Sequence, residues 1–346
     1  MRYYTFNKRR TLAFVSPWLL FILSCGAPLE PAPFGWEKKA ELRSTQILPL
    51  EIGPAGLYVE LDPIDGYQQL AVFDGESFDV EYQTPGEDDW ITGVCFLNAT
   101  AFMGVSYRLY PEGRRVALLK RTTSGWIEVF STDEYHTLAP FGVINDDACW
   151  VLCSANDATD KIGKYAYGTL DITGEIKGEF GGYAAKNKTI FGYYEWGDEN
   201  KVCYVFTSGD YGKTWFQEKM ELPAHYTLAR VDGVAASPEA FYFVANVVGA
   251  DLEYDAIIKR TGPPGAGEYE LLYLGWTGPG YIGISKCAFR DETAGVAVGE
   301  GASMYYQAPE WVREISAPVG TNFDSLLADP RGGFWGSRFD GLYWHP

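Results

Sequence analysis

Seven segments, each opening on or beside a large side chain and then alternating in polarity, recur at Trp36, Phe78, Trp126, Glu175, Trp215, Tyr269 and Trp311. Successive anchors stand 42, 48, 49, 40, 54 and 42 residues apart. A period of about 40–50 residues matches a sheet of four short strands, which must stack on copies of itself to bury its faces. Between two anchors the strands can be read directly. Tyr281–Phe289 reads as a first strand, Gly295–Gly299 as a second and Ser303–Tyr306 as a third, with Trp311 opening the fourth. The last repeat holds only three: Phe323–Leu327, Gly333–Gly336 and Gly341–Trp344.

That deficit is matched by a surplus at the other end, where the strand from Trp36 belongs to no repeat of its own. Pairing the two closes the ring, a device propellers use to avoid open sheet edges. The expected fold is all-β: a seven-bladed β-propeller of four-stranded antiparallel blades, closed by pairing of the N-terminal strand with the C-terminal blade. Six or eight blades are the neighbouring alternatives, because the third and fifth repeats have weak anchors and long insertions. An aromatic content of 16%, with 39 Gly and 19 Pro, suits many short strands joined by turns.

The run Ser208-Gly209-Asp210-Tyr211-Gly212-Lys213-Thr214-Trp215 reads as a tight hairpin turn. The Asp210 carboxylate folds back onto turn N–H groups, Gly212 supplies a positive φ, Thr214 re-enters a strand and Trp215 anchors a packing layer. The run resembles the Asp-box, Ser-x-Asp-x-Gly-x-Thr-Trp, through Ser208, Asp210, Gly212, Thr214 and Trp215. Thr122-Thr123-Ser124-Gly125-Trp126 looks like a decayed copy. Asp-boxes belong to the BNR-repeat β-propellers, which include sialidases and non-catalytic proteins such as the YCF48-type photosystem assembly factors. Gly295-Val296-Ala297-Val298-Gly299 followed by Gly301-Ala302-Ser303-Met304-Tyr305 also resembles a YCF48-type blade. In that superfamily the box is a structural turn away from the ligand face, so the resemblance speaks to fold rather than to activity.

Residues 1–24 read as a lipoprotein signal peptide. Arg2, Lys8, Arg9 and Arg10 precede an apolar stretch from Leu12 to Leu23, and Ile22-Leu23-Ser24-Cys25 resembles a bacterial lipobox. The stretch is short for a membrane span. Cleavage before Cys25 would leave that thiol to carry the lipid, and residues 25–34 would form a Pro-rich spacer. Residues 35–346 then make a single propeller domain, exported and tethered at the cell envelope or cell surface. Gly26 after the cysteine points to the outer membrane where the host has one. The mature chain would hold 24 basic against 46 acidic residues, a net charge of −22 with His neutral. Such a surface repels nucleic acid and anionic lipid.

Cys95, Cys149, Cys153, Cys203 and Cys287 are odd in number, so at least one stays unpaired within a monomer. Cys149 and Cys153 on one strand would lie about 13 Å apart, too far for a disulfide, and their spacing is not that of a zinc site. Small buried thiols are the reading. His136, His225 and His345 have no ligand neighbours at useful spacing, and the acidic turns Glu87–Asp89 and Asn145–Asp147 lack the spacing of a calcium loop. No metal and no cofactor is expected.

A sialidase would need an N-terminal Phe/Tyr-Arg-Ile-Pro motif and an arginine triad. Here the region after Trp36 offers Glu41-Leu42-Arg43-Ser44, and Arg230 and Arg290 are scattered. A propeller glycoside hydrolase of another kind would place Asp146, Asp147, Glu195 or Asp291 in the channel. Against this enzymatic alternative stands a recurrence of aromatic residues in the loops from one repeat to the next: Trp90, Tyr135, His136, Tyr183, His225, Tyr226, Trp276 and Tyr281, with Phe323 after them. On one rim they would form a ligand face for a protein, peptide or glycan; the competing role is to fill the wedges between blades. The expectation is a lipid-anchored, non-catalytic binding or scaffold module, with Cys25 lipidated.

Overall fold

The computed structural model describes residues 35–346 except 42–43, 64–65, 110–112, 156–159, 177–179, 187–188, 196–202, 224, 238, 251, 277–282, 300–301, 315–322 and 339–340. Residues 1–34, where the signal peptide, Cys25 and the spacer are expected, therefore lie outside the described residues, as does Tyr281. The architecture is all-β, and among the described residues no helix is long and apolar enough to cross a membrane.

The described strands form seven four-stranded antiparallel sheets. Sheet I holds β2 (Ser44–Gly53), β3 (Gly56–Pro63), β4 (Gln69–Phe73) and β5 (Phe78–Gln83). Sheet II holds β6 (Trp90–Leu97), β7 (Thr100–Arg108), β8 (Arg114–Thr122) and β9 (Gly125–Thr132). Sheet III holds β10 (Thr137–Asn145), β11 (Ala148–Ser154), β12 (Asp160–Ala166) and β13 (Thr169–Ile176). Sheet IV holds β14 (Phe180–Lys186), β15 (Thr189–Glu195), β16 (Cys203–Ser208) and β17 (Phe216–Lys219). Sheet V holds β18 (Thr227–Ala236), β19 (Phe241–Gly249), β20 (Leu252–Thr261) and β21 (Glu268–Trp276). Sheet VI holds β22 (Ile284–Phe289), β23 (Ala294–Gly299), β24 (Ala302–Gln307) and β25 (Glu310–Glu314). Sheet VII joins β26 (Ser325–Ala328), β27 (Phe334–Arg338) and β28 (Gly341–His345) to β1 (Glu37–Ala40) from the other end of the described chain. Glu37 stands opposite Trp344 and Lys38 opposite Tyr343.

Burial explains the strand compositions. Second strands such as β11 and β23 are buried nearly throughout, and their sequences ACWVLCS and AGVAVG are almost continuously apolar, as expected of a strand covered on both faces. Fourth strands such as β5 and β9 are half-buried and exposed along their length, and their sequences alternate. Core clusters lie between successive sheets. Tyr58 and Leu70 of sheet I pack with Val94 and Met103 of sheet II, and Phe102 of sheet II with Leu138 and Cys149 of sheet III. Val205 of sheet IV packs with Phe243 of sheet V, and Tyr242 of sheet V lies flat on Phe289 of sheet VI at 3.6 Å between ring centroids. Val296 of sheet VI meets Trp36 and Phe334 of sheet VII, and Trp335 of sheet VII meets Leu57 and Phe73 of sheet I.

Between sheets III and IV the packing is made by the Asp210 turn. Asp210 Oδ1 accepts from Thr214 N at 2.9 Å and from Ser208 Oγ, and Ser208 Oγ accepts from Gly212 N at 2.7 Å. Tyr211 adopts φ 60° and stacks on Trp150 of β11, with ring centroids 4.0 Å apart. Gly212 has φ 79°, and its carbonyl comes so close to Gly174 that a Cβ at 174 would lie 2.0 Å from that oxygen. Two glycines are therefore needed for the sheets to meet here. Trp215 packs, half-buried, on the same cluster.

Two expectations are corrected in detail. Thr214 does not re-enter a strand: β17 begins at Phe216, opposite Thr207. Glu175 does not open its strand either. β13 begins at Thr169, after the left-handed pair Tyr167 (φ 51°) and Gly168 (φ 86°), and Glu175 is its penultimate residue, opposite Lys161. Cys149 and Cys153 lie on the single strand β11, and with Cys95 and Cys287 they are buried and unbridged. Burial pushes all four thiols up, Cys153 and Cys287 to about 12. The side chain of Cys203 lies outside the described ones.

Candidate functional site

The first strands of successive sheets approach one another: β2 and β6, β6 and β10, β14 and β18, β18 and β22, β22 and β26, β26 and β2. Six of these strands carry a bulge against the second strand of their sheet. The register skips Thr45 and Leu50 in β2, Thr92 in β6, Phe141 and Ile144 in β10, Gly181 in β14, Ala229 and Asp232 in β18 and Ser285 in β22. A bulge leaves one residue unpaired and re-aims its side chain. β26 pairs without one.

Two adjoining cavities follow β18, β22 and β26, and both are bordered by Val234, Cys287 and Leu326. The first, about 200 Å³, is polar at its rim: the bulge residues Asp232 and Ser285, then Lys286, Asp324 and Ser325. The second, about 350 Å³, runs along Ala235, Ala288 and Leu327 to Arg290 and Pro330. Asp232 is held by Arg230, whose Nη2 donates to Oδ2 at 3.2 Å. Asp324 is exposed, and its backbone N–H donates to Ser337 O at 2.8 Å. Neither the Asp324 carboxylate nor the Lys286 ammonium has a side-chain ion pair among the described residues.

Three of the four carboxylates put forward for hydrolysis, Asp146, Asp147 and Asp291, do other work. Asp146 accepts from Thr100 Oγ1 and Asp147 from Lys120 Nζ at 2.8 Å, both in the β10–β11 turn. Asp291 caps the β22–β23 turn: Oδ1 accepts from Thr293 N at 2.7 Å and Ala294 N at 3.0 Å, and Arg290 pairs with Oδ2. Burial raises its carboxyl, but these hydrogen bonds and Arg290 outweigh that and hold it down at about 2. Glu195 ends β15, on another sheet. The Glu195 side chain lies outside the described ones. Among the described residues no group of three or more His, Cys, Asp or Glu side chains is arranged to hold a metal ion.

The aromatic candidates are spread over several sheets. Trp90 begins β6 and lies under the Arg114 guanidinium, 3.8 Å from the ring centroid. Tyr135 is half-buried against the core between sheets II and III, and burial pushes its phenol up. His136 N donates to Ser154 O at 2.8 Å. Tyr183 lies on β14 opposite Gly192. His225 is exposed, while Tyr226 packs edge-on to Tyr254 at 5.9 Å; Trp276 ends β21 opposite the same Tyr254. Trp90, Tyr135, His136 and Tyr183 stand on or beside other sheets, and the side chains of Tyr183 and Trp276 lie outside the described ones. Phe323 is buried against Trp36.

The groove along β18, β22 and β26 was missed from sequence. Its signal was a polar residue interrupting an apolar first strand, as at Asp232 beside Gly233 and at Ser285-Lys286.

No protein-family profile and no curated protein sequence matches the chain. Solved structures do. A structure of YCF48 bound to D1 peptide superposes with a TM-score of 0.63 at 12% identity, over 90% of this chain and 96% of that one. YCF48 from Cyanidioschyzon merolae gives 0.61 at 11% identity, over 90% and 98%. A streptogramin B lyase structure gives 0.54 at 12% identity, over 89% and 96%. At such identities the likeness speaks to fold alone, and with the four-stranded antiparallel sheets that fold is propeller-like.

Proposed function

We propose that this chain is a seven-bladed β-propeller, closed between β1 and β28, that is carried on a lipidated Cys25 at the cell envelope and binds a protein or peptide without catalysis. The observation that carries the non-catalytic reading is the fate of its acidic residues. Asp146, Asp147 and Asp291 are engaged in hairpin turns of two separate sheets, while the first strands border an open groove. Core packing between each sheet and the next, and between sheet VII and sheet I, supports the ring. The turn at Asp210 has the hydrogen bonding expected of an Asp-box. The YCF48 structure that carries a D1 peptide supports a peptide ligand by analogy of fold.

Crosslinking in the native membrane, followed by mass spectrometry of what is joined to this chain, tests the binding role. Recovery of one recurrent protein partner is expected. Turnover of a member of a broad glycoside panel, abolished by Asp232→Asn or Asp324→Asn, would contradict the non-catalytic reading. For the tether, Cys25→Ala is expected to move the chain from the membrane to the soluble fraction, because the lipid supplies the apolar anchor. Unchanged partitioning on ultracentrifugation would refute lipidation.

A further inference from the structure

We infer that the groove between β18, β22 and β26 is a binding site for an extended apolar peptide segment that carries a primary ammonium group. This deepens the binding-module reading and rests on it.

The shape comes first. The two cavities share a border, so they form one elongated space. It follows Ser285 to Arg290 along one strand and Asp324 to Pro330 along the next, room for roughly five extended residues at about 3.3 Å each. Short and apolar side chains, Ala235, Ala288, Leu326 and Leu327, form most of its length. An extended chain with small or apolar side chains fits such a wall, whereas a sugar would meet few polar partners there.

The charges fix the polarity of the ligand. At one end stand Asp324 and Lys286, a carboxylate and an ammonium without side-chain ion pairs among the described residues, facing one cavity. An ammonium on the ligand satisfies Asp324, while the charge of Asp232 at the β18 bulge is already balanced by Arg230. The carbonyl next to that ammonium accepts from Lys286 Nζ. The Ser285 and Ser325 hydroxyls border the same end. Net charge selects the same sign: the whole sequence carries −18, which draws cationic ligands and repels anionic ones. An anionic ligand seated at Lys286 would face the Asp324 carboxylate in the same cavity.

The ammonium can come from a peptide amino terminus or from a lysine side chain, and three synthetic heptapeptides separate these sources. All have an Ala/Val/Leu body and a C-terminal fluorophore: one with a free amino terminus, one acetylated, and one acetylated with an internal lysine. Fluorescence anisotropy with the purified full chain is the readout. Acetylation is expected to weaken binding about tenfold, and recovery by the lysine peptide would assign the side chain as source. Asp324→Asn is expected to weaken the amine-bearing peptide about tenfold without changing the acetylated one, and Asp324→Lys to abolish amine-dependent binding. Asp324 is exposed, so both variants fold. Equal binding of free and acetylated peptides, or an Asp324→Asn variant of unchanged affinity, overturns the site. If Asp324→Lys still captures the membrane partner as well as the unaltered chain does, the groove fails while the binding-module reading stands. Failure of the unaltered chain to capture any partner counts against that reading and leaves the peptide titration to judge the groove.

Discussion

Arg260→Ala is expected to lower the unfolding free energy by about 3–5 kcal/mol, read as a lower urea midpoint. Arg260 is 1% exposed, and it clamps Glu218 of β17 through Nη2 to Oε1 at 2.6 Å and Nε to Oε2 at 3.0 Å. Glu218 also accepts from Thr207 Oγ1 at 2.9 Å, Gly265 N at 2.6 Å and Tyr269 OH at 3.0 Å. Arg260 spends further donors on the Gly262 and Pro263 carbonyls at 3.1 and 2.9 Å. One pair thus joins sheet IV to sheet V and orders the β20–β21 turn. Removing the guanidinium leaves a buried carboxylate without its counter-charge, which costs far more than the pair itself contributes. Replacing both residues by apolar side chains of similar volume should recover much of the loss, an outcome that separates a stranded charge from a simple cavity.

The pH dependence has a definite sign. Burial alone would raise the Glu218 carboxyl, but Arg260, Thr207 and Gly265 together hold it below its ordinary value. A carboxyl lowered in the folded state contributes stability above its unfolded pKa, and that contribution is lost as pH falls through the folded value. In Arg260→Ala the lowering is removed, so the gap between variant and parent should narrow in acid. A constant gap from neutral to acid pH would contradict this assignment.

Trp36→Ala is expected to cost about 3–5 kcal/mol, the range for a large aromatic side chain removed from a core. Trp36 precedes β1 and is buried against Phe323, with ring centroids 4.5 Å apart, and edge-on to His345 at 5.3 Å. A Cβ on Gly336 would come within 3.0 Å of its ring, so the wall beneath it is tightly fitted. Sheet VII contributes Asp324, Ser325 and Leu326 to the groove, so loosening β1 should weaken peptide binding as well as stability. A change below about 1 kcal/mol by chemical denaturation would mean that β1 is not a working part of sheet VII.

The outer strands were legible because a large residue heads an alternating run, as at Phe78, Trp126 and Trp311. The same rule misplaced the start of β13, where Tyr167-Gly168 makes the turn and Glu175 comes near the end of the strand. Tyr211, an unspecified position of the turn motif, is the ring that stacks on Trp150, and nothing local in the sequence marks that contact. The groove was only faintly marked, by polar residues inside first strands at Asp232 and Ser285, for a related reason. Bulges at Asp232 and Ser285 arise from register between strands, which no single strand encodes. Asp146, Asp147 and Asp291 looked like channel acids only by composition; Asp291 is followed two residues on by Thr293, whose N–H it caps, which is ordinary turn chemistry.

Closure between the first and last strands is tested most directly by a covalent trap. Glu37 and Trp344 stand opposite each other on β1 and β28, within the separation that a disulfide spans between neighbouring strands. In the Glu37→Cys/Trp344→Cys double variant, mild oxidation and proteolysis should yield the peptides bearing positions 37 and 344 as one disulfide-linked species from the monomer. Recovery of the two peptides unlinked, or linked only between separate molecules, would contradict a ring closed by the amino-terminal strand.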